Sequence, residues 1–70
     1  MNTNELIHFG AKVLKHSKIV SHRLDSEVIL SNILNISREK LLTSQIEVSK
    51  NNCFKFKSLI LRRSKEEPVA

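Results

Sequence analysis

His22-Arg23-Leu24-Asp25-Ser26-Glu27-Val28-Ile29-Leu30-Ser31-Asn32-Ile33-Leu34 is the stretch that decides the fold. At about 100° per residue, Leu24, Val28, Ile29, Leu30, Ile33 and Leu34 spread around most of a helical circumference. A helix that is apolar nearly all round is a buried one, so this segment is expected at the centre of a helical bundle. Asp25 suits the positive N-terminal end of the helix dipole. Arg23 and Glu27, four residues apart, are placed to pair, for about 0.3 kcal/mol if exposed. Asn35 is a natural stop, because asparagine tolerates the left-handed conformation that closes many helices.

Working outward, the N-terminal side carries a helix over about Asn4 to His16, with Asn2 or Thr3 as N-cap and Glu5 in the first turn. Leu6, Ile7, Phe9, Val13 and Leu14 share one face of it; Glu5, Lys12, Lys15 and His16 lie opposite. Gly10 falls on the apolar face. A mid-helix glycine costs about 1 kcal/mol relative to alanine, so close approach of a neighbouring helix is the expected reason for it. Ser17 to Ser21 form a short connection.

On the C-terminal side, Ser37 can cap a short helix from Arg38 to about Thr43 that offers Leu41 and Leu42 to the core. Ser44 to Val48 read as a loop with two apolar anchors, Ile46 and Val48. Ser49 caps a last helix over about Lys50 to Ser64. Its expected buried stripe is Cys53, Phe56, Leu59 and Ile60, flanked by Phe54 and Leu61, with Lys55 and Arg62 projecting from the far side. The fold class is therefore all-α: a small antiparallel bundle of four short helices, five at most, with no strand.

Seventy residues make one small domain near the lower limit for a self-sufficient core. A single cysteine, Cys53, excludes an internal disulfide and suits a reducing cytoplasm; among apolar neighbours it reads as a small core side chain rather than a nucleophile. No apolar run approaches the roughly 20 residues of a membrane span. One glycine excludes phosphate-cradling and dinucleotide-binding loops, which need several. His8, His16 and His22 form no close pair with another metal ligand on one helix face and read as solvated. Asp25 and Glu27 diverge by about 200° on their helix and cannot work as an acid–base pair. No catalytic, cofactor or metal site is expected in this chain.

Twelve Lys and Arg against seven Asp and Glu leave a net charge of +5. The basic part is the last third, where Lys50, Lys55, Lys57, Arg62, Arg63 and Lys65 occur with no acid before Glu66. The three aromatics, Phe9, Phe54 and Phe56, sit on apolar faces, without the aromatic–basic interleaving that stacks bases. Nucleic acid is disfavoured as a partner on that ground.

The chain runs out through Arg62-Arg63-Ser64-Lys65-Glu66-Glu67-Pro68-Val69-Ala70, from a helix into a proline that cannot continue it. This ending reads as a domain junction: residues 1–66 as a helical domain and 67–70 as the start of a linker.

Several marks together resemble one family. Arg23-Leu24-Asp25-Ser26-Glu27 before Val28-Ile29-Leu30 is similar to an R-x-D-A-E motif with its aliphatic run. Ser37-Arg38-Glu39-Lys40-Leu41-Leu42 looks like a short third helix of the same proteins. Leu59 to Ala70 is similar to L-I-x-R-R-x-x-G-E-P-V-A. These are marks of the N-terminal domain of the HemK/PrmC family, the peptide chain release factor glutamine methyltransferases. Ser26 stands where alanine is usual and Glu66 where glycine is usual; both departures are expected to matter little.

The resemblance implies a parent protein in which this domain precedes a methyltransferase domain that binds S-adenosylmethionine. That domain methylates the glutamine of the Gly-Gly-Gln motif in class 1 release factors. It implies no cofactor in these residues. It implies as partners the release factor, which is generally acidic, and the chain's own methyltransferase domain. On the composition, and apart from the resemblance, the protein is expected to be cytoplasmic and to use no membrane, and it is expected to be a monomer. The residues expected to touch the release factor are Lys55, Arg62, Arg63 and Lys65, while Arg23, Asp25 and Glu27 are expected to form structural ion pairs. For Arg62 and Arg63 an internal pair with Asp25, Glu27 or Glu67 is the competing expectation. Two alternatives stand beside this one: a free-standing basic helical module that binds nucleic acid, and a passive folding partner for the catalytic domain.

Overall fold

A computed structural model describes residues 1–65. The reading of residues 66–70 as a turn and linker, and of Glu67 as an ion-pair partner, lies outside the described residues. Four helices follow one another: α1 (Thr3–His16), α2 (His22–Leu34), α3 (Arg38–Thr43) and α4 (Lys50–Lys65).

Their ends are set by local hydrogen bonds. Asn2 caps α1 in a reciprocal box: its Oδ1 accepts from Glu5 N, and Glu5 Oε1 accepts from Asn2 N, both at 2.9 Å. Two otherwise orphaned donors are thereby satisfied. Asn35 closes α2 in the left-handed region at φ 55°, as its side chain allows. Ser37 Oγ accepts from Lys40 N at the start of α3, and Ser49 Oγ from Asn52 N at the start of α4. Ser21 precedes α2 but spends its hydroxyl on Asp25 rather than on a backbone amide.

Cross-contacts give the helix directions. Ser26 meets Ile7 and Gly10, and Asp25 meets Arg63, so α2 runs antiparallel to both α1 and α4. Gly10 faces Phe56 and Ile60, so α1 and α4 run side by side. The loop before α4 is stitched to the N-terminus: Thr3 N donates to Ile46 O at 2.9 Å and Val48 N to Met1 O at 3.0 Å. The Met1 ammonium lies 3.3 Å from Glu47 Oε1, and this hydrogen bond holds its pKa above the ordinary 8.0.

The core consists of Leu6, Ile7, Leu14, Ile19, Leu30, Leu41, Val48, Phe56 and Ile60, with Cys53 packed against its edge. Segment α2 is central, packing against all three other helices, but not for the reason the sequence suggests. Its buried residues are Ser26, Glu27, Leu30 and Ser31, while Leu24 and Val28 are 45% and 37% exposed. At six residues α3 is about 9 Å long, too short to cover the whole of α2, and Leu24 and Val28 stay in solvent. Four further apolar side chains expected in the core are exposed: Leu42, Phe54, Leu59 and Leu61. In a bundle this small each helix buries a narrow stripe, and residues flanking that stripe fall outside it.

Candidate docking surface

Helix α4 buries Phe56 and Ile60, half-buries Cys53 and Arg63 beside them, and turns its opposite side to solvent. At about 100° per residue, its outer surface divides into two strips. Lys55, Leu59 and Arg62 share one; Phe54, Leu61 and Lys65 share the other. All six side chains are exposed.

Arg63 points the opposite way, towards α2. Its Nη2 lies 3.1 Å and its Nε 3.2 Å from Asp25 Oδ2, and the same oxygen accepts from Ser21 Oγ at 3.1 Å. This ion pair ties the end of α4 to the start of α2. Of the four cations expected to reach a partner, the structure thus brings Lys55 and Arg62 onto one strip, sets Lys65 on the neighbouring strip, and engages Arg63 internally. Among the described residues Arg62 has no acidic partner.

Between α2 and α4 runs an open groove lined by Ile29, Asn32, Ile33, Leu59, Arg62 and Arg63. Its floor is apolar and its rim cationic, the combination that suits an acidic chain carrying apolar anchors. The sequence did not single out Ile29, Asn32 or Ile33 for this, because their periodicity is that of a core helix. The spacing Lys55–Leu59–Arg62, at i, i+4 and i+7, was the available signal: it puts a leucine between two exposed cations.

Glu27 is buried at 5% exposure yet ionisable. Arg23 Nε lies 3.3 Å from its Oε2, and Arg38 Nη2 lies 2.9 Å from its Oε1. The first contact stays within α2, while the second fastens α3 to it. Arg38 was not among the residues expected in ion pairs, since nothing in the spacing of Glu27 and Arg38 links them before the chain turns back at Asn35.

His8 and His16 are exposed, whereas His22 is half-buried with Nδ1 3.0 Å from Ile19 O. Among the described residues, no three His, Cys, Asp or Glu side chains are grouped so as to hold a metal ion. No helix there is long and apolar enough to cross a membrane. A model of the PrmC N-terminal domain family matches residues 5–70. No curated protein and no solved structure matches the chain.

Proposed function

The chain belongs to the PrmC N-terminal domain family, and from that premise we propose that it is the substrate-engaging accessory domain of an S-adenosylmethionine-dependent release factor glutamine methyltransferase. Residues 1–66 hold the class 1 release factor, and residues 67–70 begin the connection to the catalytic domain, which binds the cofactor. The domain performs no chemistry of its own. Its contribution is positional: a large substrate gripped at a remote surface arrives with its reacting glutamine oriented, and binding energy at a distance offsets the entropy of alignment.

The observation that carries this reading is the α2–α4 groove, in which Arg62 has no acidic partner among the described residues and stands beside a half-open floor of Ile29, Ile33 and Leu59. A cation so placed, next to apolar surface that the fold does not close, is surface available to a partner. An acidic release factor would be drawn in by the charge and held by the apolar contact. The charge acts mainly on the association rate and is weakened by salt.

Titration of the isotope-labelled chain with a class 1 release factor is the test. Amide shifts are expected to concentrate at Ile29, Asn32, Ile33, Leu59 and Arg62. Lys55→Ala with Arg62→Ala is expected to slow association by roughly 3- to 10-fold at low salt, with little change in dissociation. A spectrum unmoved by the release factor, or shifts confined to other helices, would overturn the proposal.

A further inference from the structure

A second groove lies on the other side of α2, against α1, and its lining differs in kind. His8, Ala11, Lys12 and Lys15 of α1 face His22 and Arg23 of α2 across it. None of the six is acidic, and Ala11 alone is apolar. Among the described residues the one carboxylate bonded to any of them is Glu27, on Arg23, and Glu27 is shared with Arg38. One carboxylate thus balances two guanidinium groups, and Lys12 and Lys15 are balanced by none among the described residues. The groove therefore carries a local excess of positive charge, although it lies in the half of the sequence where acids are interspersed.

Not every polar group of the groove donates. The Ile19 carbonyl can only accept, so the His22 Nδ1 beside it carries the proton. The other ring nitrogen, Nε2, is then an acceptor in the neutral ring, so His22 lines the groove without offering a donor to an anion. Arg23 uses its Nε on Glu27 and keeps its terminal nitrogens. His8, Lys12 and Lys15 form a row along α1 at i, i+4 and i+7, about 10 Å from end to end. A single small anion cannot span such a row, but successive phosphates of one strand can. An amphipathic peptide finds nothing to anchor to here, in contrast to the α2–α4 groove.

We propose that the α1–α2 groove binds the phosphodiester backbone of a nucleic-acid strand, without base readout. The absence of exposed aromatic side chains from its lining, which argued against nucleic acid in general, argues only against base stacking. Contacts to phosphates alone give weak, sequence-independent and strongly salt-dependent binding.

The labelled 70-residue chain is titrated with a single-stranded oligouridylate of about a dozen nucleotides, and in parallel with inorganic phosphate and with polyglutamate. Shifts are expected at His8, Ala11, Lys12, Lys15, His22 and Arg23. With about three phosphate contacts, affinity should fall roughly ten-fold or more between about 50 and 200 mM salt. Lys12→Gln with Lys15→Gln, both exposed and so neutral to the fold, should abolish the response, while Lys55→Ala with Arg62→Ala should leave it intact. No binding at low salt overturns the proposal. So do shifts confined to α4, an equal response to inorganic phosphate, or a preference for polyglutamate. Failure here leaves the release factor reading of the α2–α4 groove untouched, because the two share no residue.

Discussion

Gly10 and Ser26 form the tightest point of the molecule. A Cβ added at Gly10 would collide with Ser26 Oγ and lie 2.7 Å from Phe56 Cζ and 2.9 Å from Ile60 Cδ1. Three helices therefore meet at one hydrogen atom. Alanine would gain about 1 kcal/mol in helix propensity, but overpacking a closed core costs about 1–3 kcal/mol. The rigid phenyl edge puts this case at the upper end. Gly10→Ala should lower stability by about 1–2 kcal/mol in urea unfolding. Ser26 is fully buried and its hydroxyl donates to Ile7 O at 2.9 Å; losing that bond in Ser26→Ala should cost about 1 kcal/mol or less. The two changes touch the same space, so the double variant should be more stable than the sum of the singles predicts. Strict additivity would refute this account of Gly10. The close approach at Gly10 was legible in the sequence from its place on an apolar helix face. The importance of Ser26 was not: a lone serine within a helix looks neutral until the facing glycine is known.

Among the elements, α3 shows how a short segment is held. Six residues bury one leucine, Leu41, and gain a second attachment through Arg38 on Glu27. Arg23 and Arg38 are 66% and 47% exposed at the side chain, while the Glu27 side chain they share is 7% exposed. Either arginine alone can keep Glu27 compensated. Arg23→Ala or Arg38→Ala should therefore each cost about 1 kcal/mol or less, the surface-pair range. Removing both strands a buried carboxylate, and the double variant should lose about 3 kcal/mol. Chemical denaturation of the three variants measures this, and a double effect no larger than the sum of the singles would count against it. The helices themselves were legible: caps at Asn2, Ser37 and Ser49 and the stop at Asn35 are local chemistry. Which face of each helix is covered was legible only in part, because cover depends on the length and angle of the neighbour. Leu24, Val28 and Leu42 are exposed for that reason.

At the scale of the whole molecule, Phe54 and Phe56 make the contrast that matters. Phe56 is the largest fully buried side chain, and Phe54 is 74% exposed. Truncating a buried phenylalanine costs about 3–5 kcal/mol, against a total of roughly 4–10 kcal/mol for a domain of this size. Phe56→Ala should be substantially unfolded at 37 °C by circular dichroism, whereas Phe54→Ala should unfold within about 0.5 kcal/mol of the parent. Equal losses in the two variants would contradict the packing described. The same scale separates the two grooves flanking α2: the one towards α4 has an apolar floor and the one towards α1 has none. Neither exists within any one segment. His8, Lys12 and Lys15 form a row on their own helix, but His22 and Arg23 join them only because the chain turns back between Ser17 and Ser21.

The sequence by itself determined the all-α class, the positions and ends of the four helices, the need for close approach at Gly10 and membership of the family. Each follows from hydrogen bonding and steric preference within a few residues, or from motifs read in order. The tertiary structure alone decided that Arg63 closes on Asp25 while Arg62 meets no acid among the described residues, that Glu27 is shared between two arginines, and that Leu59 floors a groove rather than fills the core. Those outcomes depend on which side chain of one helix faces which of another. Rotating a helix by one residue, about 100°, exchanges such partners without disturbing any local preference.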